Sequence, residues 1–386
     1  MSGLLVYNNM ISNFKSAVLI ISPENWCAHS VSKHHYAIEL SRRGVKVVFL
    51  NPPVSSLSAR RVDTVEGLPS LFIYSMPKLT IGIRFFPAFF RRWLESRWLV
   101  ELEAYIDAKI YIIWLFENSR FFDLSFGGDR LKIYHQVDLN QNFHLGTAAR
   151  TADICFCTTD GIRERLLPYN VRVYKIHHGT ALPAQPLGLS TLQTARMFHA
   201  GQNACYVGNL DMIYLDAELL ARVAQTYSTV QFHFIGGFSS QGHLHQLTSN
   251  LPNVLWWGKV PSALIPSILE HSDIVLCTYK AAQYREQLAS PHKFMEYLAS
   301  GKTIVATYTD EYKDKRDLLE MVDNASDYVA AFGRVLGDLA EYNSPARQAQ
   351  RVAFAMAHSY PRQLEKIVAI LWDHGLSEPF TRSISA

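Results

Sequence analysis

Ser290-Pro291-His292-Lys293-Phe294-Met295-Glu296-Tyr297-Leu298-Ala299-Ser300-Gly301-Lys302-Thr303-Ile304-Val305-Ala306-Thr307 reads as a loop with Pro, an amphipathic helix stopped by Gly301, and an apolar strand. A helix start gathers unpaired N–H groups and partial positive charge, which suits an anion such as a diphosphate. Here Lys293 adds a full charge to that start. Glu296, one turn on, is a carboxylate able to accept hydrogen bonds from sugar hydroxyls. The plain alternative is an ordinary helix–strand packing unit, so the surrounding chain has to decide.

Outward from this segment, strands and helices alternate. Ahead of it come the strand Ala204–Gly208, a helix over 216–226, the strand Val230–Ile235 ending in Gly236-Gly237, the strand Val254–Gly258, a helix over 262–271 and the strand Asp273–Thr278. An earlier series begins with Ala17–Ser22, a helix over 32–44 with a Gly stop, and Val45–Leu50 closed by Asn51-Pro52-Pro53. Strand, helix, strand at this spacing is a βαβ unit with parallel strands. Further strands are expected at 71–74, 110–115, 131–134, 154–158 and 171–176. Residues 182–195 lose periodicity and are rich in Pro, Leu, Gln and Thr, as a linker would be. A helix over 361–371 has no strand left to lead into and is expected to cross back onto the first half. The expectation is two α/β domains, 1–190 with a returning helix over 359–386, and 191–358. Each is a doubly wound, Rossmann-like sheet, with ligands beyond the carboxyl ends of the strands.

At 386 residues the chain exceeds what one core usually serves, which agrees with two domains. Its 48% apolar and 18% charged content belongs to a packed globular protein. A formal net charge of +3 is too mild to imply nucleic acid. Five cysteines, Cys27, Cys155, Cys157, Cys205 and Cys277, are an odd number without zinc spacing, so reduced, buried thiols in a cytoplasmic protein are expected. Neither a bilayer-spanning run nor a signal peptide is indicated.

Several segments taken together resemble the bacterial glycosyltransferases of the two-Rossmann GT-B fold, in the broad group around family 4. Glu24-Asn25-Trp26, His34–Gly44 and Phe49–Pro53 look like their first βαβ unit. Tyr134–Leu139 sits where many carry Tyr-Asp-x-x-Asp-Asp, and Ala152–Thr159 is similar to their strand ending in a Thr/Ser pair. Ile176–Thr180 lies at their Pro-Asn-Gly-Val, Tyr206–Leu210 opens the nucleotide domain, and the opening stretch resembles Pro-x-Lys-x-x-Glu-Tyr-x-Ala-x-Gly-Lys-Pro-Val-Val. Two departures stand out. Many relatives have two Glu separated by seven residues; Glu296 fits the second, but Leu288 stands at the first and Glu286 is out of register. The first loop also lacks the usual Gly pair, so retention or inversion stays open.

The resemblance implies two domains facing across a cleft, no cofactor, and a nucleotide-sugar as co-substrate. Without a metal, protein cations and N–H dipoles must stabilise charge on the leaving diphosphate. Gly208, Asn209, Ser290, Pro291, His292 and Lys293 are the diphosphate candidates, with Arg285 or Lys280 as a second cation. Glu296 would hold the ribose, and Gly236, Gly237, Gly258, Lys259 and Val260 would flank ribose and base. Asp138 is the first candidate base on the acceptor side, ahead of Glu24, His29 and His178. His243-x-His245 lacks partners for a metal, and none is expected.

Residues 83–98 hold four Phe, two Trp and four Arg. Phe85, Phe86, Phe89, Phe90, Arg91, Arg92, Trp93 and Arg97 have the composition of a membrane-interface segment, or of a core helix with Arg turned to water. The expected function is glycosyl transfer to a glycan or a polyprenyl-diphosphate-linked acceptor in surface polysaccharide synthesis, at the inner face of the plasma membrane. A nucleotide-sugar 2-epimerase and a non-catalytic nucleotide- or glycan-binding module are the alternatives.

Overall fold

The computed structural model describes residues 16–26, 31–54, 59–139, 142–181, 188–189, 198 and 201–376. Contacts divide the chain into two units, residues 1–178 with 360–386, and residues 179–359. The first division thus falls at 178/179, against the boundary at 190/191 expected from the linker composition.

Unit 1 is an eight-stranded sheet in the order β3-β4-β2-β1-β5-β6-β7-β8. Its strands are β1 (Ser16–Ile21), β2 (Lys46–Leu50), β3 (Arg61–Val65), β4 (Leu68–Ser75), β5 (Lys109–Leu115), β6 (Leu131–Gln136), β7 (Ile154–Cys157) and β8 (Val173–Lys175). All neighbours pair in parallel except β3 with β4. Edge strand β3, Arg-Val-Asp-Thr-Val, has no fully buried residue, and its polar composition hid it from the sequence pattern. β1, with Ser-Ala-Val-Leu-Ile-Ile, is buried throughout, as a central parallel strand covered on both faces must be. The helices are α1 (Ser32–Arg42), α2 (Ala88–Ile106), α3 (Leu145–Thr151), α4 (Asp160–Leu166) and, after the second unit, the returning helix, labelled α12 below (Tyr360–Asp373). That helix packs on α1: Tyr360 stacks on His35 at 4.5 Å between ring centroids, and Arg43 donates to the Pro361 carbonyl at 3.2 Å. Cys155 and Cys157 both join the core on one face of β7.

Unit 2 has six parallel strands in the order β11-β10-β9-β12-β13-β14. They are β9 (Asn203–Val207), β10 (Gln231–Ile235), β11 (Val254–Gly258), β12 (Ile274–Cys277), β13 (Thr303–Thr307) and β14 (Glu320–Val322). Counted from β9 this is 3-2-1-4-5-6, the dinucleotide-fold order, whose switch point lies between β9 and β12. The helices are α5 (Ala217–Thr226), α6 (His243–Thr248), α7 (Ile265–Glu270), α8 (Lys293–Ala299), α9 (Tyr328–Gly337), α10 (Leu339–Tyr342) and α11 (Pro345–Ala357). Gly301 follows α8 with φ 74°, the left-handed turn that ends a helix. A Cβ there would lie 3.3 Å from Gln348 and Val352, so the glycine also lets α11 pack closely. Buried Arg351 of α11 clamps three carbonyls, Leu318 (2.9 Å), Gly301 (2.9 Å) and Tyr342 (2.7 Å). Among the described residues no helix is long and apolar enough to cross a membrane.

Candidate functional site

In unit 2, β9 and β10 are each followed by a glycine, and β11 ends on one. Gly208, Gly236 and Gly258 all have positive φ, at 150°, 138° and 69°. Gly208 N–H donates to the Ile235 carbonyl (2.8 Å) and Gly236 N–H to the Gly258 carbonyl (2.9 Å), which ties the three strand ends together. A Cβ on Gly236 would overlap the Gly208 carbonyl, so only glycine permits this approach.

Lys293 lies directly under the Gly208 turn. A Cβ on Gly208 would come within 2.5 Å of the Lys293 ammonium. That ammonium is buried and donates to the Val207 carbonyl (3.0 Å) and the Tyr206 hydroxyl (3.2 Å). It also lies 4.5 Å from the Tyr206 ring centroid and 5.4 Å from that of Tyr279. An ammonium has three donors, and these two neutral oxygens take two of them. Tyr297, one turn on, donates to the same Val207 carbonyl at 2.9 Å. The i, i+4 spacing of Lys293 and Tyr297 therefore fixes α8 to the end of β9, while Arg351 holds its other end through Gly301. Sequence reading missed Tyr297, although the helical spacing was there to see.

The other unit 2 candidates divide. Glu296 faces solvent on α8; crowding by surrounding protein raises its carboxyl above the ordinary range, and the Lys293 charge opposes that rise. Asn209 accepts the Asp211 N–H on its side-chain oxygen at 3.1 Å. Lys259 lays its stem across Gly237, and Val260 packs against the core. Ser290 and Pro291 are half-buried and His292 is exposed, all directly before α8. Exposed Arg285 forms an ion pair with Asp310 through bonds of 2.7 to 3.2 Å. Lys280 instead lines a cavity of about 390 Å³ with Leu210, Asp211, Ser239 and His243. Leu288 is buried in the core and Glu286 is exposed; the position of the first Glu is therefore a packing site. His243 pairs with Glu218 at 3.2 Å, and His245 packs against Phe238 and Trp256.

In unit 1 the loop after β6 presents Asp138. Three successive carbonyls of this loop accept from side chains: Val137 from Thr158 (2.6 Å), Asp138 from Gln136 (3.0 Å) and Leu139 from Arg165 (3.1 Å). Gln136 is itself reached by Tyr134 (3.3 Å), which accepts from Asn118 (2.9 Å). Such a loop is preorganised, since each pinned carbonyl removes local freedom. Crowding raises the Asp138 carboxyl above its ordinary range; Lys33 opposes this and Glu24 adds to it. Buried Lys33 on α1 forms an ion pair with half-exposed Glu24, so Lys33, Glu24 and Asp138 act as one charge cluster. Lys33 was not singled out from sequence, because a lysine in the first turn of an amphipathic helix reads as solvated. Beneath them His135 is fully buried, and burial lowers its pKa to about 3, keeping it neutral. His178 lies 3.1 Å from the Ser32 hydroxyl, which accepts from Tyr360 at 3.1 Å; these buried contacts give it a structural place. His29 lies outside the described residues.

The aromatic segment is a ridge on α2 and the turn before it. Phe85 is 77% exposed, Phe89 75%, Trp93 52% and Phe90 39%, with Phe86 half-buried against Phe90. Arg92 and Arg97 are exposed. Arg91 is a correction: it is buried, paired with Asp123 at 3.3 Å and set over the Phe122 ring, because its turn of α2 faces the core.

Residues 201–338, which hold all the unit 2 candidates, match the glycosyl transferases group 1 family. The Bacillus subtilis (strain 168) protein TuaH, named for teichuronic acid biosynthesis glycosyltransfer, is 31% identical over 128 residues, 32% of each chain. The chain thus spans about a third of the length of the curated relative it matches. Three solved structures share the fold at 13% identity. Sucrose-phosphate synthase of Thermosynechococcus elongatus has a TM-score of 0.68 over 93% of this chain and 100% of that one. UDP-forming α,α-trehalose-phosphate synthase of Burkholderia vietnamiensis has 0.66 over 92% and 96%. Anabaena HepE, solved with UDP and glucose, has 0.64 over 92% and 99%. Residues 201–338 thus carry a glycosyl transferases group 1 domain, and the chain, with the strand order of its two sheets, has the GT-B fold that these solved structures share.

Proposed function

We propose that the protein transfers a sugar from a nucleotide-diphosphate sugar to a hydroxyl of a glycan or lipid-linked acceptor in bacterial surface polysaccharide synthesis. The carrying observation is the Lys293 ammonium, buried beneath the glycine-ended strands with one donor left over. As the bond from the sugar C1 to the diphosphate oxygen breaks, charge grows on that oxygen. Lys293 and the backbone N–H groups around Gly208 and Ser290 stabilise it in a site that costs little reorganisation. Glu296 accepts from the ribose hydroxyls, and Gly236, Gly258 and Lys259 border ribose and base. On the acceptor side, Asp138 takes the hydroxyl proton if the sugar inverts, with Lys33 and Glu24 setting its charge. A base with a raised pKa is a stronger proton acceptor near neutral pH than an ordinary aspartate.

Support for a nucleotide-sugar donor comes from the matched family segment and from a fold shared with HepE, solved with UDP and glucose. Support for the polysaccharide role comes from TuaH. The exposed ridge of Phe85, Phe89, Phe90 and Trp93, flanked by Arg92 and Arg97, fits an anionic membrane surface and supports a peripheral association with the inner face of the plasma membrane.

The test is turnover with a panel of UDP-, GDP- and dTDP-sugars, with and without membrane extract, alongside nucleotide-induced changes in melting temperature. Nucleotide release that depends on acceptor supports the proposal. Isomerised donor without transfer identifies an epimerase; stabilisation without chemistry identifies a binding module; neither binding nor release removes the donor site altogether.

A further inference from the structure

A cavity of about 500 Å³ opens in unit 1 between α3 and α4. Asn142, His144, Thr147, Arg150, Arg165 and Tyr169 form its polar wall, and no described residue lining it is acidic. The wall is built with care for position. Gly146 carries no Cβ; one there would lie 2.9 Å from the Tyr169 ring, so the ring rests directly on the α3 backbone. The Arg150 guanidinium sits over that ring, 5.0 Å from its centroid. Arg165 donates from one nitrogen to the Leu139 carbonyl (3.1 Å) and the Asn142 side-chain oxygen (3.3 Å). His144 stacks on Phe122 at 3.7 Å, with Arg91 on the same ring at 4.4 Å. Burial lowers the His144 pKa, and the charges of Arg91 and Arg84 act in the same direction. Phe143, 74% exposed, projects at the mouth.

Two planar guanidinium groups, each oriented by a neutral neighbour, match the oxygens of a phosphate or diphosphate through paired hydrogen bonds. Arg165 also donates to the carbonyl of Leu139, the residue after Asp138, which ties this wall to the loop that carries the proposed acceptor base. We propose that this cavity is the acceptor's phosphate subsite: it binds a phosphate or diphosphate ester on the acceptor and thereby presents the acceptor hydroxyl to Asp138. This rests on the assignment of Asp138 to the acceptor side.

Inorganic pyrophosphate binding to the full chain, measured by titration calorimetry at low salt, tests it. The Lys293→Met variant removes the competing diphosphate site in unit 2. Pyrophosphate should bind Lys293→Met protein, and at least tenfold more weakly when Arg150→Gln is added, with the melting temperature kept. Unchanged affinity in the double variant, or no binding once Lys293 is replaced, overturns the proposal. Competition then identifies the source. Displacement by a soluble sugar 6-phosphate points to a sugar phosphate acceptor, displacement by neutral vesicles carrying an isoprenyl diphosphate points to a lipid-linked one, and displacement by neither overturns the proposal. If no nucleotide-sugar is ever turned over, the functional assignment falls while the pyrophosphate result stands or falls by itself.

Discussion

Lys293→Met should separate donor binding from folding. The variant keeps most of the side-chain volume and deletes the charge. Removing the ammonium leaves the Val207 carbonyl still bonded to Tyr297 at 2.9 Å, while the Tyr206 hydroxyl loses the bond from Lys293. Loss of this charge-assisted bond, offset by no longer burying the charge, costs about 1 kcal/mol, or ~2–4 °C in melting temperature for a domain of 150–250 residues. Binding loses more. A charge-assisted bond to a diphosphate contributes roughly 1.5–3 kcal/mol net, well below the ~4 kcal/mol of a bare charge pair at 4 Å and an effective dielectric of 20. The dissociation constant of the nucleoside diphosphate that stabilises the wild type should therefore rise about 10- to 150-fold. Calorimetry with UDP, GDP and dTDP reads the affinity, and thermal unfolding reads the stability. Wild-type affinity within twofold in a folded variant refutes the reasoning, because the buried ammonium would then not meet the diphosphate.

Asp138→Asn should cut transfer about 10²- to 10⁴-fold if the reaction inverts, with nucleotide affinity unchanged. In the wild type, rate should fall as pH drops through the raised Asp138 pKa, since the base must be ionised; a rate flat down to the ordinary aspartate range opposes this role. Gly236→Ala should destabilise unit 2 and weaken nucleotide binding together, because its Cβ meets the Gly208 carbonyl; near-native behaviour in unfolding and binding assays counts against the tied strand ends. Glu95 is buried and pushed up to about 8 from 4.5, chiefly by burial. The folded state thus holds a proton that the unfolded state releases above about 4.5, so stability falls as pH rises from there to about 8, by up to roughly 5 kcal/mol. Glu95→Gln should remove that slope in urea titrations; parallel curves for the two proteins contradict the buried neutral form. Replacing Phe85, Phe89 and Trp93 with Ser should abolish sedimentation with anionic vesicles and leave nucleotide affinity intact, and full vesicle binding by the variant rejects the ridge as a membrane contact.

Local pattern alone determined the alternating α/β order, the glycine ends of the unit 2 strands, and the pairing of Lys293 with Glu296 on one helix. Apolar runs of strand length, helical spacing and glycine stops are properties of neighbouring residues, so they are legible without a fold. β3 escaped because an exposed edge strand needs no apolar face. What only the tertiary structure decided is which polar groups meet. Lys33 joins Glu24 and Asp138 from a separate element, and Thr158, Gln136 and Arg165 converge on three carbonyls of one loop. Arg91 and Arg285 look like free surface cations in sequence, yet each is spent on an aspartate, 32 and 25 residues away. A charge in a sequence carries no record of its long-range partner. Whether it binds a ligand or a neighbour follows from the approach of distant segments, which the packing of the core sets.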